Sequence, residues 1–246
     1  MSSTASRPAS AVSGRQARWQ PHNDSRRERI VLAAIELIEQ SPAGVEVPIV
    51  QIAEHAGLAK SVVYRQFAGR DELDRRIRSD VAERFVGDIE DALDIADGSI
   101  HNILVRTIGA VVSWIEDHPR LRDFLRTGPS ETDPDVDAMS ALIATIAGST
   151  RALVSGLAGA VGVTDDASAD TMTFAIVSMT EATVTRWSND PAPALTKDQL
   201  IEELASYAWH VVDGVARRHG LTLDPDQQFT EVLTHLIAGD RPDSGG

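Results

Sequence analysis

Pro48-Ile-Val-Gln-Ile-Ala-Glu-His-Ala-Gly57-Leu-Ala-Lys60-Ser-Val-Val-Tyr64-Arg-Gln-Phe67-Ala-Gly-Arg70-Asp-Glu-Leu73 is the stretch whose reading decides the fold. Two short helices fit it, separated by a turn at Gly57-Leu58, where glycine supplies the backbone freedom for a sharp reversal. Ala53, one helical turn earlier, is small enough for a second helix to cross closely. Ile49, Ile52, Ala53, Ala56, Leu58, Val63 and Phe67 fall at spacings that make one shared apolar face. Lys60, Ser61, Tyr64, Arg65 and Gln66 are then left pointing outward on the second helix, a set able to donate to phosphates or read base edges. This is the pattern of a helix-turn-helix with its recognition helix at about Lys60 to Phe67.

The run from Ile52 to Leu73, above all Tyr64-x-x-Phe67-x-x-Arg70-Asp71-x-Leu73, resembles the DNA-binding signature of the TetR family of transcriptional regulators. The resemblance covers roughly Arg29 to Ile77 and beyond that rests on length and helix layout. It implies an all-α protein: an N-terminal three-helix DNA-binding domain followed by a larger helical ligand-binding and dimerisation domain. It further implies a homodimer that binds a palindromic double-stranded DNA operator, as a repressor released by a small-molecule effector. By the same resemblance Tyr64 and Arg70 hold phosphates. Three positions depart from the family pattern. Pro48 and Ala59 stand where helix-capping hydroxyls are usual, each lost cap costing about 1 kcal/mol, and Val62 replaces a hydroxyl that commonly touches phosphate. Lys60 and Arg65 are the residues assigned to base edges, with Gln66 a further candidate and Ser61 on the same face.

The 246 residues are enough for one large or two modest domains. Cysteine is absent, which suits a reducing cytoplasm and removes disulfides and thiolate-held metals. The net charge of −14 is uneven. Residues 1–80 carry 12 Lys+Arg against 10 Asp+Glu, a balance of +2, and residues 81–246 carry 11 against 27, a balance of −16. The basic groups sit with the helix-turn-helix, and the acidic excess behind it orients the protein on DNA and keeps the remainder soluble.

Four segments are expected: a disordered basic arm over 1–24, the DNA-binding domain over 25–72, the ligand-binding and dimerisation domain over 73–240, and a tail over 241–246. The arm carries Arg7, Arg15 and Arg18 and continues into Arg26, Arg27 and Arg29, a set able to follow phosphate or enter a minor groove. Ser25, with Glu28 three residues on, reads as the cap of the first helix, whose core face is Ile30, Ala33, Ala34, Leu37 and Ile38. Gly69 is expected to close the recognition helix and Asp71-Glu72 to open a long helix carrying Leu73, Ile77, Val81, Phe85, Ile89 and Leu93. Further helices are expected over Ile100–Asp117, Pro119–Arg126, Ser168–Trp187, Lys197–His219 and about Pro225–Ala238. Asp137–Val163, whose interior holds Arg151 as its one charge, reads as a buried central helix and not a membrane span, because Arg151 divides it and four glycines weaken it.

No residue pattern supports an active site or a metal centre. The seven histidines include no His-x-x-x-His pair, Ser155-Gly156 lacks the flanks of a nucleophile elbow, and no glycine-rich loop ends in lysine. No cofactor is expected. The candidate effector residues are Trp114, Phe124, Met139 and Phe174, with Arg151 as a partner for an anionic group on a mostly apolar effector. The apolar stripes of the last two long helices, Met172, Ile176 and Met179 on one and Leu204, Val211 and Val215 on the other, are expected to meet a symmetry mate as a four-helix bundle. The competing readings are a DNA-binding architectural or co-regulatory protein without an effector, and a helical enzyme with a vestigial DNA module. A cavity in the second domain separates the first of these from the effector-released regulator.

Overall fold

The computed structural model describes residues 16–42, 44–133 and 135–238. Among them are ten helices and no strand. The chain divides into two compact units, Met1–Ile77 and Arg78–Gly246.

The first unit is built from α1 (Gln16–Gln40), α2 (Ile49–His55), α3 (Lys60–Gln66) and the opening of α4 (Arg70–Ala92). Its core is the apolar set the sequence marks: Ile30, Ala34 and Ile38 of α1, Ile52 and Ala53 of α2, Val63 and Phe67, with Leu73 and Ile77 of α4. The turn between α2 and α3 is closed by two hydrogen bonds. Leu58 N donates to Ala53 O at 2.8 Å and Gly57 N to Glu54 O at 3.0 Å, with Gly57 left-handed at φ 64°. This is the glycine-terminated helix end in which the last free carbonyls are satisfied locally. Around it, Arg29 donates to Ala56 O at 2.8 Å and His55 meets Glu36 at 2.7 Å. Arg27 pairs with Glu72 at 2.8 Å and lies 4.9 Å from the Phe67 ring centre. Arg27 and Arg29, assigned to the basic arm, are therefore staples of this unit.

Helix α1 begins at Gln16, so Ser25 lies inside it and does not cap it. The straight-chain residues and alanine of Gln16-Ala-Arg-Trp-Gln20 favour helix, which the Ser25 reading did not weigh. The part of the expected disordered arm before Gln16 lies outside the described residues. Helix α3 ends at Gln66, where Phe67 turns extended (φ −133°, ψ 132°), and Gly69 belongs to the start of α4, accepting from Leu73 N at 3.3 Å. Leu73 and Ile77 belong to the first unit, so the division lies inside α4 and beyond the boundary expected at residue 72.

The second unit contains the rest of α4 with α5 (Ile100–Asp117), α6 (Pro119–Arg126), α7 (Ala138–Ala160), α8 (Asp166–Ser188), α9 (Lys197–Arg218) and α10 (Phe229–Ala238). The capping chemistry is plain in the sequence. Ser99 accepts from Asn102 N, Asp137 from Ser140 N, Asp165 from Ser168 N, and Thr196 forms a reciprocal box with Gln199. Pro119 occupies the first turn of α6, where its missing N–H is harmless. The hydroxyls of Ser140 and Ser168 hold the Asp137 and Asp165 carboxyls below the ordinary value of 3.8. These caps act fully above that value and fade as the pH falls through the lower folded one.

Helix α7 packs mainly on α8, and α5 mainly on α9. Among the described residues two arginines are buried. Arg122 donates to Ser188 Oγ at 2.5 Å and Asn189 Oδ1 at 3.1 Å, tying α6 to the end of α8. Arg78 donates to Phe124 O at 3.1 Å and lies 4.4 Å from the Phe124 ring centre. The last helix starts at Phe229, because Pro225 uses its carbonyl on His101 N at 3.0 Å.

The expectation of a buried α7 is overturned. The helix is long and apolar enough to cross a membrane by length and composition, yet only 17% of its most apolar window is buried. Its outward residues, such as Ala144, Ala152, Gly156 and Gly159, are small, and its larger side chains border open space between α7 and α8.

Neither α2 nor α3 has a side-chain cap: Pro48 and Ala59 hold the extended cap conformation without the hydrogen bond. Ala59→Ser is expected to raise the unfolding free energy by about 1 kcal/mol, read as a higher melting temperature in a calorimetric scan. An unchanged or lower value would mean that α3 needs no cap.

Candidate nucleic-acid interface and ligand cavity

Helix α3 buries Val63 and leaves Lys60, Ser61, Tyr64 and Arg65 exposed on its other side. Lys60 Nζ sits 5.6 Å from the Tyr64 ring centre, and Tyr64 is 50% exposed with its hydroxyl free to reach outward. These four residues are the outward set the sequence reading named. Gln66 departs from it: the side chain is half-buried and its amide oxygen is inside the protein. Arg70 departs further. Its guanidinium pairs with Asp74 at 2.7 Å and Glu46 at 3.2 Å and donates to Val47 O. The first turn of α4 thus holds the loop before α2 in place, and the charge assigned to phosphate is spent inside the unit. The cause is local, since Asp74 lies one helical turn after Arg70 and captures it.

The second unit contains a cavity of about 190 Å³ between α4, α5, α7 and α8. Trp114 and Met139, two of the expected effector residues, line it. Trp114 stacks on Phe85 with ring centroids 4.3 Å apart. Ile89, Ile108, Leu142 and Ile176 continue an almost wholly apolar wall. Its hydroxyls are Thr107, Thr150, Thr173 and Thr180. The sequence reading passed over these threonines. Thr173 and Thr180 lie two turns apart on the Met172–Ile176 stripe, and a hydroxyl recurring on an apolar stripe was the available signal.

Three expected effector residues lie elsewhere. Phe124 covers Arg78. Phe174 points outward at 55% exposure. Arg151 is 3.6 Å from Asp170 and does not line the cavity. A helix stripe separates these cases: the buried positions of α8 are Ala169, Met172, Thr173, Thr180 and Val184, and Phe174 falls off that face.

The residues expected at a dimer contact also divide. Met172 and Leu204 are buried within the chain itself and have no surface left for a partner. Ile176 borders the cavity and Val215 a second one, while Met179 and Val211 are half-buried. The chain's own core covers Met172 and Leu204, and the other four residues of the two stripes keep part of their surface accessible. The large apolar side chains that α8 and α9 do expose are Phe174 and Tyr207. Among the described residues, no group of three or more His, Asp or Glu side chains is placed to share a metal ion.

This helical fold has solved counterparts. A TetR-family transcriptional regulator from Streptomyces coelicolor superposes with a TM-score of 0.61 at 20% identity, over 90% of this chain and 92% of that one. The chain has the fold of the TetR-family transcriptional regulators. The TetR-family repressor AlkX from Dietzia sp. strain DQ12-45-1b, described as implicated in biodegradation of n-alkanes, matches with a TM-score of 0.51 at 20% identity, over 76% of this chain and 95% of that one. RolR in complex with resorcinol matches with a TM-score of 0.52 at 17% identity, over 85% and 100%. No family model matches the sequence, and the comparison with curated proteins finds no relative.

The geometry assigns Arg65 and Arg70 opposite fates. Arg65→Ala is expected to weaken binding to a cognate operator by about 1–3 kcal/mol and relax preference at one base position per half-site. An equal loss on random duplex would move Arg65 to phosphate. Arg70→Ala is expected to lower stability by about 1–2 kcal/mol, given its half-screened partners, and to leave the salt slope of DNA binding unchanged. A slope flatter by about one would restore the phosphate role.

Proposed function

We propose that this chain is a ligand-responsive transcriptional regulator, a repressor that binds a palindromic operator as a homodimer and is released by a small, mostly apolar effector. The apolar cavity in the second unit carries the reading, because an architectural protein whose second domain served only contacts would gain by filling that space. The exposed Lys60, Ser61, Tyr64 and Arg65 on α3 supply the DNA-facing side. Two recognition helices about 34–36 Å apart would read half-sites one turn apart. The effector binds between the helices of residues 100–188, with the Trp114 and Met139 walls as the contact surface. Effector and operator then weaken each other's binding by the same factor.

The test begins with selection of an operator from random duplex DNA. Release of the selected operator by apolar compounds is then measured, with a parallel titration of each compound in the presence and absence of DNA. Operator binding that no cavity-filling compound alters would favour the architectural reading.

Because Arg151 lies outside the cavity, Arg151→Ala is expected to leave both operator affinity and effector response within about twofold of wild type. A selective loss of response to an anionic compound would bring Arg151 back into the site. The dimer is assigned to the outward faces of α8 and α9 around Phe174 and Tyr207. Phe174→Arg with Tyr207→Arg is expected to give a monomer by light scattering and to weaken operator binding more than tenfold, an effect on the order of 1.4 kcal/mol or above. A double variant still dimeric at micromolar concentration would place the interface elsewhere.

A further inference from the structure

A second apolar cavity of about 210 Å³ adjoins the first, and both are lined by Val154, Met172 and Val212. Along α8 the lining residues run in order from Ser168 of the second cavity through Met172 to Thr180 of the first. Along α7 they run the opposite way, from Leu157 through Val154 to Met139. Ser168 to Thr180 spans roughly 18 Å at about 1.5 Å per residue. Of the three residues that border both spaces, Met172, unbranched and with three rotatable side-chain bonds, is the one best able to swing aside.

Thr180 keeps an unused hydroxyl beside this space. The hydroxyls of Thr107, Thr150 and Thr173 donate to backbone carbonyls at 3.3, 2.8 and 2.9 Å. Thr180 Oγ1 is buried without any hydrogen-bond partner in a residue only 5% exposed. Such a group ordinarily has one. Charge is nearly absent from the lining. Among the described residues no Lys or Arg borders either cavity. Glu181 is taken by Arg126, and His219 by Asp165 at 3.2 Å. A carboxylate brought inside would remain unneutralised, which is strongly unfavourable.

We infer that the two cavities are one trough that takes an elongated single-chain apolar molecule with an uncharged hydroxyl or carbonyl end, the chain passing Met172 and the end hydrogen-bonding Thr180 Oγ1 once that side chain rotates its hydroxyl toward the space. The inference rests on the effector reading and narrows it to a chemical class.

Straight-chain primary alcohols from hexanol to hexadecanol, the matched alkanoates, 1-chlorododecane and compact 2-naphthol are titrated calorimetrically into the full-length protein and into Met172→Trp and Thr180→Val. In the wild type, alcohol affinity should rise about fourfold per methylene well beyond the length that fills one cavity, with alkanoates binding more weakly. Met172→Trp should end that rise at mid-length while short alcohols still bind. Thr180→Val should weaken the alcohols by roughly threefold to tenfold and leave 1-chlorododecane unchanged. A wild-type plateau at mid-length, with 2-naphthol still bound, would overturn the trough and leave the effector reading standing. Alkanoates binding more tightly than alcohols, or equal losses for alcohols and 1-chlorododecane in Thr180→Val, would overturn the uncharged end. If no probe binds, both readings fail. The wild-type series decides the matter even if Met172→Trp does not fold.

Discussion

The two hydrogen bonds that Leu58 and Gly57 donate to Ala53 and Glu54 set the direction in which the chain leaves α2, and the first unit depends on them. They require a left-handed residue at Gly57, where a side chain is strained. Once the direction is fixed, Val63 and Phe67 can only face Ile52 and Ala53, and Tyr64 and Arg65 can only face away. The polar surface of α3 is therefore a by-product of a backbone turn. Arg27, Arg29 and Arg70 then hold that geometry from three sides, through Glu72, Ala56 O and Val47 O. Three of the unit's cations serve the scaffold, which leaves Lys60 and Arg65 as the cations of α3 that face outward.

The second unit is governed by space left unfilled. The apolar lining of the cavity of about 190 Å³ forgoes packing contacts that a filled core would make. The unit is held around it by the caps of α5, α7, α8 and α9 and by the fully buried Ala205 and Ala208 face of α9. An apolar occupant restores the lost contacts, so filling the void and stabilising the fold are one event.

Legibility in the sequence followed the strength of local signals. Ile100–Asp117 and Pro119–Arg126 agree with the structure to the residue, and His118-Pro119 is the break between them that the sequence displays. The turn, the recognition helix and the missing caps were equally visible, since each depends on residues within one turn. Burial was harder to read. The stripes on α8 and α9 identify apolar faces but not their neighbours, so Met172 and Leu204 read as interface and lie in the chain's own core. Composition likewise made α7 a central helix, whereas its large side chains border a void and its small ones face out. Arg70 and Arg151 show the limit for charges: whether a cation serves the surface or an intramolecular partner depends on where Glu46 or Asp170 lies in space.

The stacking of Trp114 on Phe85 has a practical consequence. An indole emits according to the polarity and contacts beside it, and Trp114, 8% exposed, lines the cavity. Trp187 is instead tied to Leu195 O at 2.8 Å, outside the lining. With Trp19, Trp187 and Trp209 replaced, the emission of Trp114 becomes an intrinsic gauge of what fills the interior, readable without an attached label.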